Sequence, residues 1–322
     1  MRGKICEHET KDNISLKRNL LNSCYSLSLN KESCNGCGVC SEVCPKEAIT
    51  YIPSVVENGV LVKKPTIGFD TESCIFCGEC AVLCPLNALT MKIDGKEIST
   101  VERNQVFPSL LKGVRVFKEK VSDYDSDFLL NSMKKVDSLE LSRCSPECEC
   151  RCEKECPTDA IKVVVQRSEN DQIEKIVDVV IDESRCFYCQ RCELACPYDA
   201  IKVEKPFYGQ LDLKSDLCPQ DCVACQDICP SKAIRREDGG LVVSRQFCVF
   251  CSACEKVCPK QAITVHRDKI FHTDICAAAW LTAFKKLTSL ETFRKEAMIT
   301  ATKRRVSVVE RRKKHLGFDL SV

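Results

Sequence analysis

The sequence predicts an α+β chain of three tandem, internally duplicated domains followed by a C-terminal amphipathic helix. Three observations predict it: 28 cysteines in 322 residues, a cysteine pattern that recurs six times, and a short alternating or β-branched stretch on either side of each recurrence. Hydrophobic residues make up 44%, but that figure includes the cysteines. Without them the apolar share falls to roughly a third, below the usual range, so something besides aliphatic packing must fill the interior. No apolar run approaches the length needed to span a bilayer, and the opening MRGKICEHETKDN has no signal-peptide core. The chain is therefore expected to be soluble and cytoplasmic, where dense cysteine points to metal rather than to disulfides.

The first two motifs are CNGCGVCSEVCP (Cys34, Cys37, Cys40, Cys44) and CIFCGECAVLCP (Cys74, Cys77, Cys80, Cys84). The third is the irregular CSPECECRCEKECP, from Cys144 to Pro157, with five cysteines in the thirteen residues from Cys144 to Cys156. The last three are CFYCQRCELACP (Cys186, Cys189, Cys192, Cys196), CPQDCVACQDICP (Cys218, Cys222, Cys225, Cys229) and CVFCSACEKVCP (Cys248, Cys251, Cys254, Cys258). Four follow C-x2-C-x2-C-x3-C-P without deviation and all six end in C-x3-C-P. This is the bacterial ferredoxin signature, in which three cysteines hold one [4Fe-4S] cluster and the fourth ligates its neighbour. Zinc sites separate their cysteine pairs by longer spacers, so zinc is the weaker reading.

Each motif sits in one local frame. SLSLNKESC, TIGFDTESC, SLELSRC, VVIDESRC, LDLKSDLC and LVVSRQFC precede the motifs and read as strands. CPKEAIT, CPLNALT, CPTDAIKV, CPYDAIKV, CPSKAI and CPKQAITV follow, and read as one helical turn leading into a strand. Between successive motifs lie 29, 59, 29, 21 and 18 residues, so the long gap separates the first pair from the rest. The second, fourth and sixth motifs place bulky apolar residues inside the first CxxC (Ile75 and Phe76, Phe187 and Tyr188, Val249 and Phe250). That period of two makes the duplicated unit a pair of motifs, a two-cluster bacterial-ferredoxin-like domain.

Cross-ligation within pairs assigns Cys34, Cys37, Cys40 and Cys84 to one cluster and Cys74, Cys77, Cys80 and Cys44 to its partner. The second domain groups Cys144, Cys148 and Cys152 with Cys196, and Cys186, Cys189 and Cys192 with Cys156. The third groups Cys218, Cys222 and Cys225 with Cys258, and Cys248, Cys251 and Cys254 with Cys229. In the crowded third motif this leaves Cys150 spare; a shift of the loop makes Cys150 the ligand and Cys148 the spare. The expected boundaries are 1–29 for an N-terminal extension, 30–100, 140–209 and 210–270 for the three domains, 101–139 for a linker, and 271–322 for a helical basic tail. Six clusters of about −2 each turn the formal +2 into about −10. An acidic holoprotein gives nucleic-acid binding little support and docking on basic protein surfaces more.

In these motifs the sequence resembles the polyferredoxins of methanogenic and related archaea, from about Asn30 to Val265. The resemblance implies an electron-transfer subunit, such as that of formylmethanofuran dehydrogenase, or of a hydrogenase and heterodisulfide reductase assembly, or of an energy-converting hydrogenase. The formylmethanofuran dehydrogenase subunit typically carries eight clusters, whereas six are expected here. Downstream, AITVHRDKIFHTDIC ends in Cys276 with no further cysteine and reads as a degenerate seventh unit.

The rest carries no motif. Phe107, Leu110, Leu111, Val114, Val116 and Phe117 of the linker are expected to pack on their own neighbours. Trp280, Phe284, Leu287, Leu290, Phe293 and Ala297, three or four apart, predict one long amphipathic helix. Beyond it, Lys303, Arg304, Arg305, Arg311, Arg312, Lys313 and Lys314 form a basic run for docking to another subunit or to the chain's own acidic surface. Cys6 and Cys24 read as plain thiols.

No nucleotide-binding glycine loop and no catalytic His, Asp or Glu constellation stands out, and only four His are present. The expected function is therefore non-catalytic electron transfer between redox subunits of a multi-subunit complex, through six [4Fe-4S] clusters and with no small-molecule substrate. A redox sensor or cluster reserve, and an enzyme centred on the irregular third motif, are the readings from other classes.

Overall fold

A computed structural model of the chain describes residues 4–98, 107–116, 144–237, 240–273 and 277–315. The first unit begins with a meander of β1 (Ile5–Glu9), β2 (Asn13–Asn19) and β3 (Cys24–Asn30). Period-two alternation buries Ile14 and Leu16 of β2 and Leu27 and Leu29 of β3. Then come α1 (Val39–Val43), β4 (Ile49–Ile52), β5 (Val55–Glu57), β6 (Val60–Lys63), β7 (Thr66–Phe69), α2 (Glu79–Val82), β8 (Leu89–Ile93) and β9 (Lys96–Glu97). β3 pairs antiparallel with β8 and β4 with β7, so the strand before the first motif meets the strand after the second. The N-terminal segment is thus part of the first sheet: β3 lies inside the stretch expected to be an extension.

The second unit repeats the plan with β10 (Gly113–Val116), α3 (Arg151–Lys154), β11 (Ile161–Arg167), β12 (Ile173–Ile181), α4 (Arg191–Ala195) and β13 (Ile201–Glu204). Its outer pair is β10 with β13 and its inner pair β11 with β12. Residues of the expected linker therefore supply the second unit's first strand. The SLELS stretch expected in that place, and Phe117, lie outside the described residues. The third unit holds β14 (Phe207–Leu213), α5 (Ala224–Ile228), β15 (Ile234–Glu237), β16 (Gly240–Val243), α6 (Ala253–Val257) and β17 (Ile263–Ile270). Here β14 pairs with β17 and β15 with β16.

The first and third units share one apolar core, joined by Phe187 of the second, whose own core gathers Ile161, Ile176, Val179, Ile201 and Val203. The β5–β6 hairpin reaches from the first unit to the third. Gly59 at its tip, at φ +80°, accepts the Val223 and Ala224 N–H groups at 2.8 and 3.1 Å, just after Cys222. A Cβ at Gly59 would stand 2.7 Å from the Cys222 Cα.

The tail is two helices, α7 (Ala278–Thr288) and α8 (Leu290–His315), rather than one. The chain breaks at Ser289, which is extended and whose Oγ accepts the Thr292 N–H at 3.2 Å, capping α8. α7 buries Trp280, Ala283, Phe284 and Leu287, and lies against α1 and β17. Phe107 meets Trp280 edge-on at 6.2 Å, and His272 meets Phe284 at 4.2 Å. The expected docking stripe is thus spent within the chain over its first three turns. Past the break Leu290 is 57% exposed and Phe293 37%. Cys276 lies outside the described residues, so the degenerate seventh motif has no structural counterpart among them. No helix among the described residues is long and apolar enough to cross a membrane.

Candidate metal centres

Each motif folds as a loop running into a helix of four or five residues that carries its third cysteine: Cys40, Cys80, Cys152, Cys192, Cys225 and Cys254. The residue before five of these helices is left-handed, namely Gly38, Gly78, Cys150, Gln190 and Ser252. A left-handed residue also stands between the first two cysteines as Gly36, Phe76, Tyr188 and Phe250. Bulky aromatics tolerate that region poorly, so the surrounding packing must hold them there. Phe76, Tyr188 and Phe250 are all buried.

The proline that ends each motif starts a tight turn, not the expected helical turn. Its next-to-last residue (Glu47, Asn87, Asp159, Asp199, Lys232 or Gln261) has φ near +50°. This turn aims the following alanine's N–H back at the last cysteine. Ala48, Ala88, Ala160, Ala200, Ala233 and Ala262 donate to the Sγ of Cys44, Cys84, Cys156, Cys196, Cys229 and Cys258 at 3.2–3.3 Å. All six alanines are buried, which explains the recurring alanine in CPxxA.

Cys34, Cys37, Cys40 and Cys84 line one cavity, and Cys44, Cys74, Cys77 and Cys80 a second. A third is lined by Cys144, Cys148, Cys150, Cys152 and Cys196. Cys156 faces Cys186, Cys189 and Cys192. Cys225 feels Cys222, Cys218 and Cys258, and Cys229 approaches Cys248, Cys251 and Cys254. These are the groupings that cross-ligation calls for.

Burial pushes the thiols up, to about 11 for Cys34, Cys186 and Cys248 and about 12 for Cys77, with neighbouring thiols adding to it. Thiols so crowded and dry are not stable as anions on their own; a cationic metal core makes them so. The donor set of four sulfurs around a void, with an N–H aimed at one of them, fits a [4Fe-4S] cluster.

Cys148 is buried, and Cys152 feels it more than any other thiol. Cys150 is half-buried and occupies the left-handed position that Gly38, Gly78, Gln190 and Ser252 fill elsewhere. Cys6 is exposed and Cys24 half-buried, and neither lines one of the three cavities.

The six groups are joined. Within units, Cys40 lies near Cys80, Cys192 near Cys152 and Cys254 near Cys225. Between units, the Asn35 Nδ2 donates to the Cys251 Sγ at 3.5 Å, and Cys37 feels Cys251. Lys112 sits between Cys84 and Cys186, its ammonium on the Asn87 side-chain oxygen and over the Tyr188 ring. Lys205 donates to the Cys248 carbonyl at 3.1 Å and is acted on by the sulfurs of Cys248 and Cys189. Three groups, one from each unit, therefore adjoin one another, and the other three flank them. Asn35, Lys112 and Lys205 were not singled out from sequence, because nothing local marks a residue that serves a distant loop.

Residues 33–88 and 217–263 match families described as 4Fe-4S dicluster domains, and residues 179–202 a 4Fe-4S binding domain. No curated protein sequence matches the chain. Among solved structures, the chain is similar to one chain of the formate dehydrogenase, heterodisulfide reductase and formylmethanofuran dehydrogenase complex from Methanospirillum hungatei. The two share 26% identity at a TM-score of 0.69, over 89% of this chain and 92% of that one. Six cysteine loops on one repeated scaffold, three family matches and a full-length structural relative agree: the chain carries three 4Fe-4S ferredoxin-type domains.

Proposed function

We propose that the protein is a non-catalytic electron-transfer subunit holding six [4Fe-4S] clusters on the 24 cysteines grouped above, with Cys148 rather than Cys150 as the ligand. When bound, such clusters supply one-electron storage and transfer at low potential. The chain's own residues position the sulfurs, shield them with Phe76, Tyr188 and Phe250, and direct an alanine N–H at the last sulfur of every motif. The observation that carries the reading is that every cysteine group adjoins another, with one group of each unit at a common junction. A storage or sensing protein has no need of such contiguity; a relay does.

The partner we favour is a methanogenic-type assembly of the formylmethanofuran dehydrogenase kind, working in the cytoplasm. Support comes from the structural relative, which is part of a complex containing that enzyme. A hydrogenase or heterodisulfide reductase assembly is the alternative.

Anaerobic reconstitution tests the cluster content. About 24 iron and 24 acid-labile sulfide per chain are expected from six four-thiolate sites. A reproducible count near 20 means one motif is empty, and stoichiometric zinc in protein isolated with its metal intact overturns the reading. Co-purification of the native protein under anaerobic conditions identifies the partner.

A further inference from the structure

Lys205 is among the few charged side chains buried in the molecule, at 4% exposure. It sits in the connection between β13 and β14, before Pro206, and its ammonium donates to the carbonyls of Gln246 and of Cys248, the latter at 3.1 Å. Among the described residues no carboxylate pairs with it. Glu193 is the one carboxylate that acts on it, more weakly than the sulfurs of Cys248 and Cys189.

A buried ammonium satisfied only by neutral carbonyls is costly, because removal from water is not offset by an opposite charge. Two cations at the seam of the first and third units are provided for differently. Arg267, equally buried on the same cysteine loop, donates to the carbonyls of Phe250 and Cys251 but also lies 3.7 Å from the Glu42 carboxylate. Lys256 pairs with Glu42 at 3.0 Å. Lys205 is fixed on the Gln246 and Cys248 carbonyls, and its main opposite charges are the sulfurs of Cys248 and of Cys189, from two different units. Burial pushes its ammonium down to about 8 while those sulfurs hold it up.

We propose that Lys205 is the shared counter-charge of the two cluster sites it separates, Cys156/Cys186/Cys189/Cys192 and Cys229/Cys248/Cys251/Cys254, and that it raises the reduction potential of both. This rests on the electron-relay reading and adds to it an electrostatic device at the junction of the second and third units. A fixed cation favours the more negative, reduced state of whatever it faces, and the dry setting strengthens that effect. Lys205 thereby makes the seam a favoured resting place for electrons between the second and third units.

The test uses full-length protein reconstituted anaerobically, with iron and sulfide counted first. Titanium(III) citrate then supplies one electron per cluster in a titration followed by electron paramagnetic resonance. Lys205→Met is expected to keep full iron and to move two of the six reductions to lower potential. At a fixed solution potential their reduced-to-oxidised ratio should fall about ten-fold, a shift of about 59 mV for one electron. Lys205→Arg, which keeps the charge, should stay close to wild type. Lys205→Gln keeps a donor for the two carbonyls without the charge, and should behave as the methionine variant does.

Full iron with an unmoved titration in the methionine or glutamine variant overturns the proposal. Loss of iron in both neutral variants but not in the arginine variant supports it, since the sites then need the charge to hold their anions. Loss in all three overturns it in favour of packing. A wild-type chain that fails to bind clusters at these two sites overturns the relay reading itself.

Discussion

Cys150 stands at the left-handed position before its helix, where two glycines, Gln190 and Ser252 stand in other motifs. Its backbone places it where the other motifs carry no cysteine. Cys150→Gly should keep all the iron and raise the melting temperature, because a non-glycine residue there costs about 1 kcal/mol. Cys148→Ser should lose or convert one cluster, seen as a drop in iron per chain and in the resonance spectrum. The reverse pattern would move the ligand to Cys150. The alanine of CPxxA belongs to the same scale. Its value lies in a buried N–H on sulfur and in a side chain no larger than a methyl group, which fits the buried position.

Among the elements, the tail departs most from its sequence pattern. Apolar residues three or four apart continue from Trp280 to Ala297, but the helix ends at Thr288 and begins again after Ser289. Among the described side chains of the tail, only ones in the first part are buried. Trp280→Ala should therefore cost about 3–5 kcal/mol, as expected for a large buried ring. Leu290→Ala, on the exposed side of the break, should change stability by less than about 1 kcal/mol. Thermal unfolding of the reconstituted protein distinguishes them, and equal effects would mean that α8 is also packed. Truncation after Ser289 should leave iron and the reductive titration unchanged but weaken association with the native partner. Unchanged co-purification would place docking elsewhere.

At the scale of the whole molecule the three units meet at a junction instead of following one another in a line. The hairpin tip at Gly59 fixes part of this arrangement, because its carbonyl takes two N–H groups at the start of α5. Gly59→Ala should disturb it, since the added carbon meets the Cys222 backbone and the residue must remain at positive φ. The expected result is faster loss of iron on dilution, starting with the Cys218/Cys222/Cys225/Cys258 site, with stability lower by about 1–3 kcal/mol. Iron loss spread evenly over all sites would argue against a local role for the hairpin.

The sequence by itself determined the repeat, its period of two and the chemistry of the donor sets, because cluster ligation is written in spacings of two and three residues that survive any context. It also determined the strands before the other five motifs, whose alternation is local, while the SLELS stretch before the third lies outside the described residues. Only the tertiary structure decided that Gly113–Val116 completes the second sheet, that Trp280 turns inward, and that Lys112 and Lys205 stand between sulfur groups from different units. Each of these depends on segments far apart in the chain, and no local pattern records which distant surface a strand, ring or ammonium will meet. Packing of the three units makes that choice, since burying a ring or a charge is favourable only where a complementary neighbour is already in place.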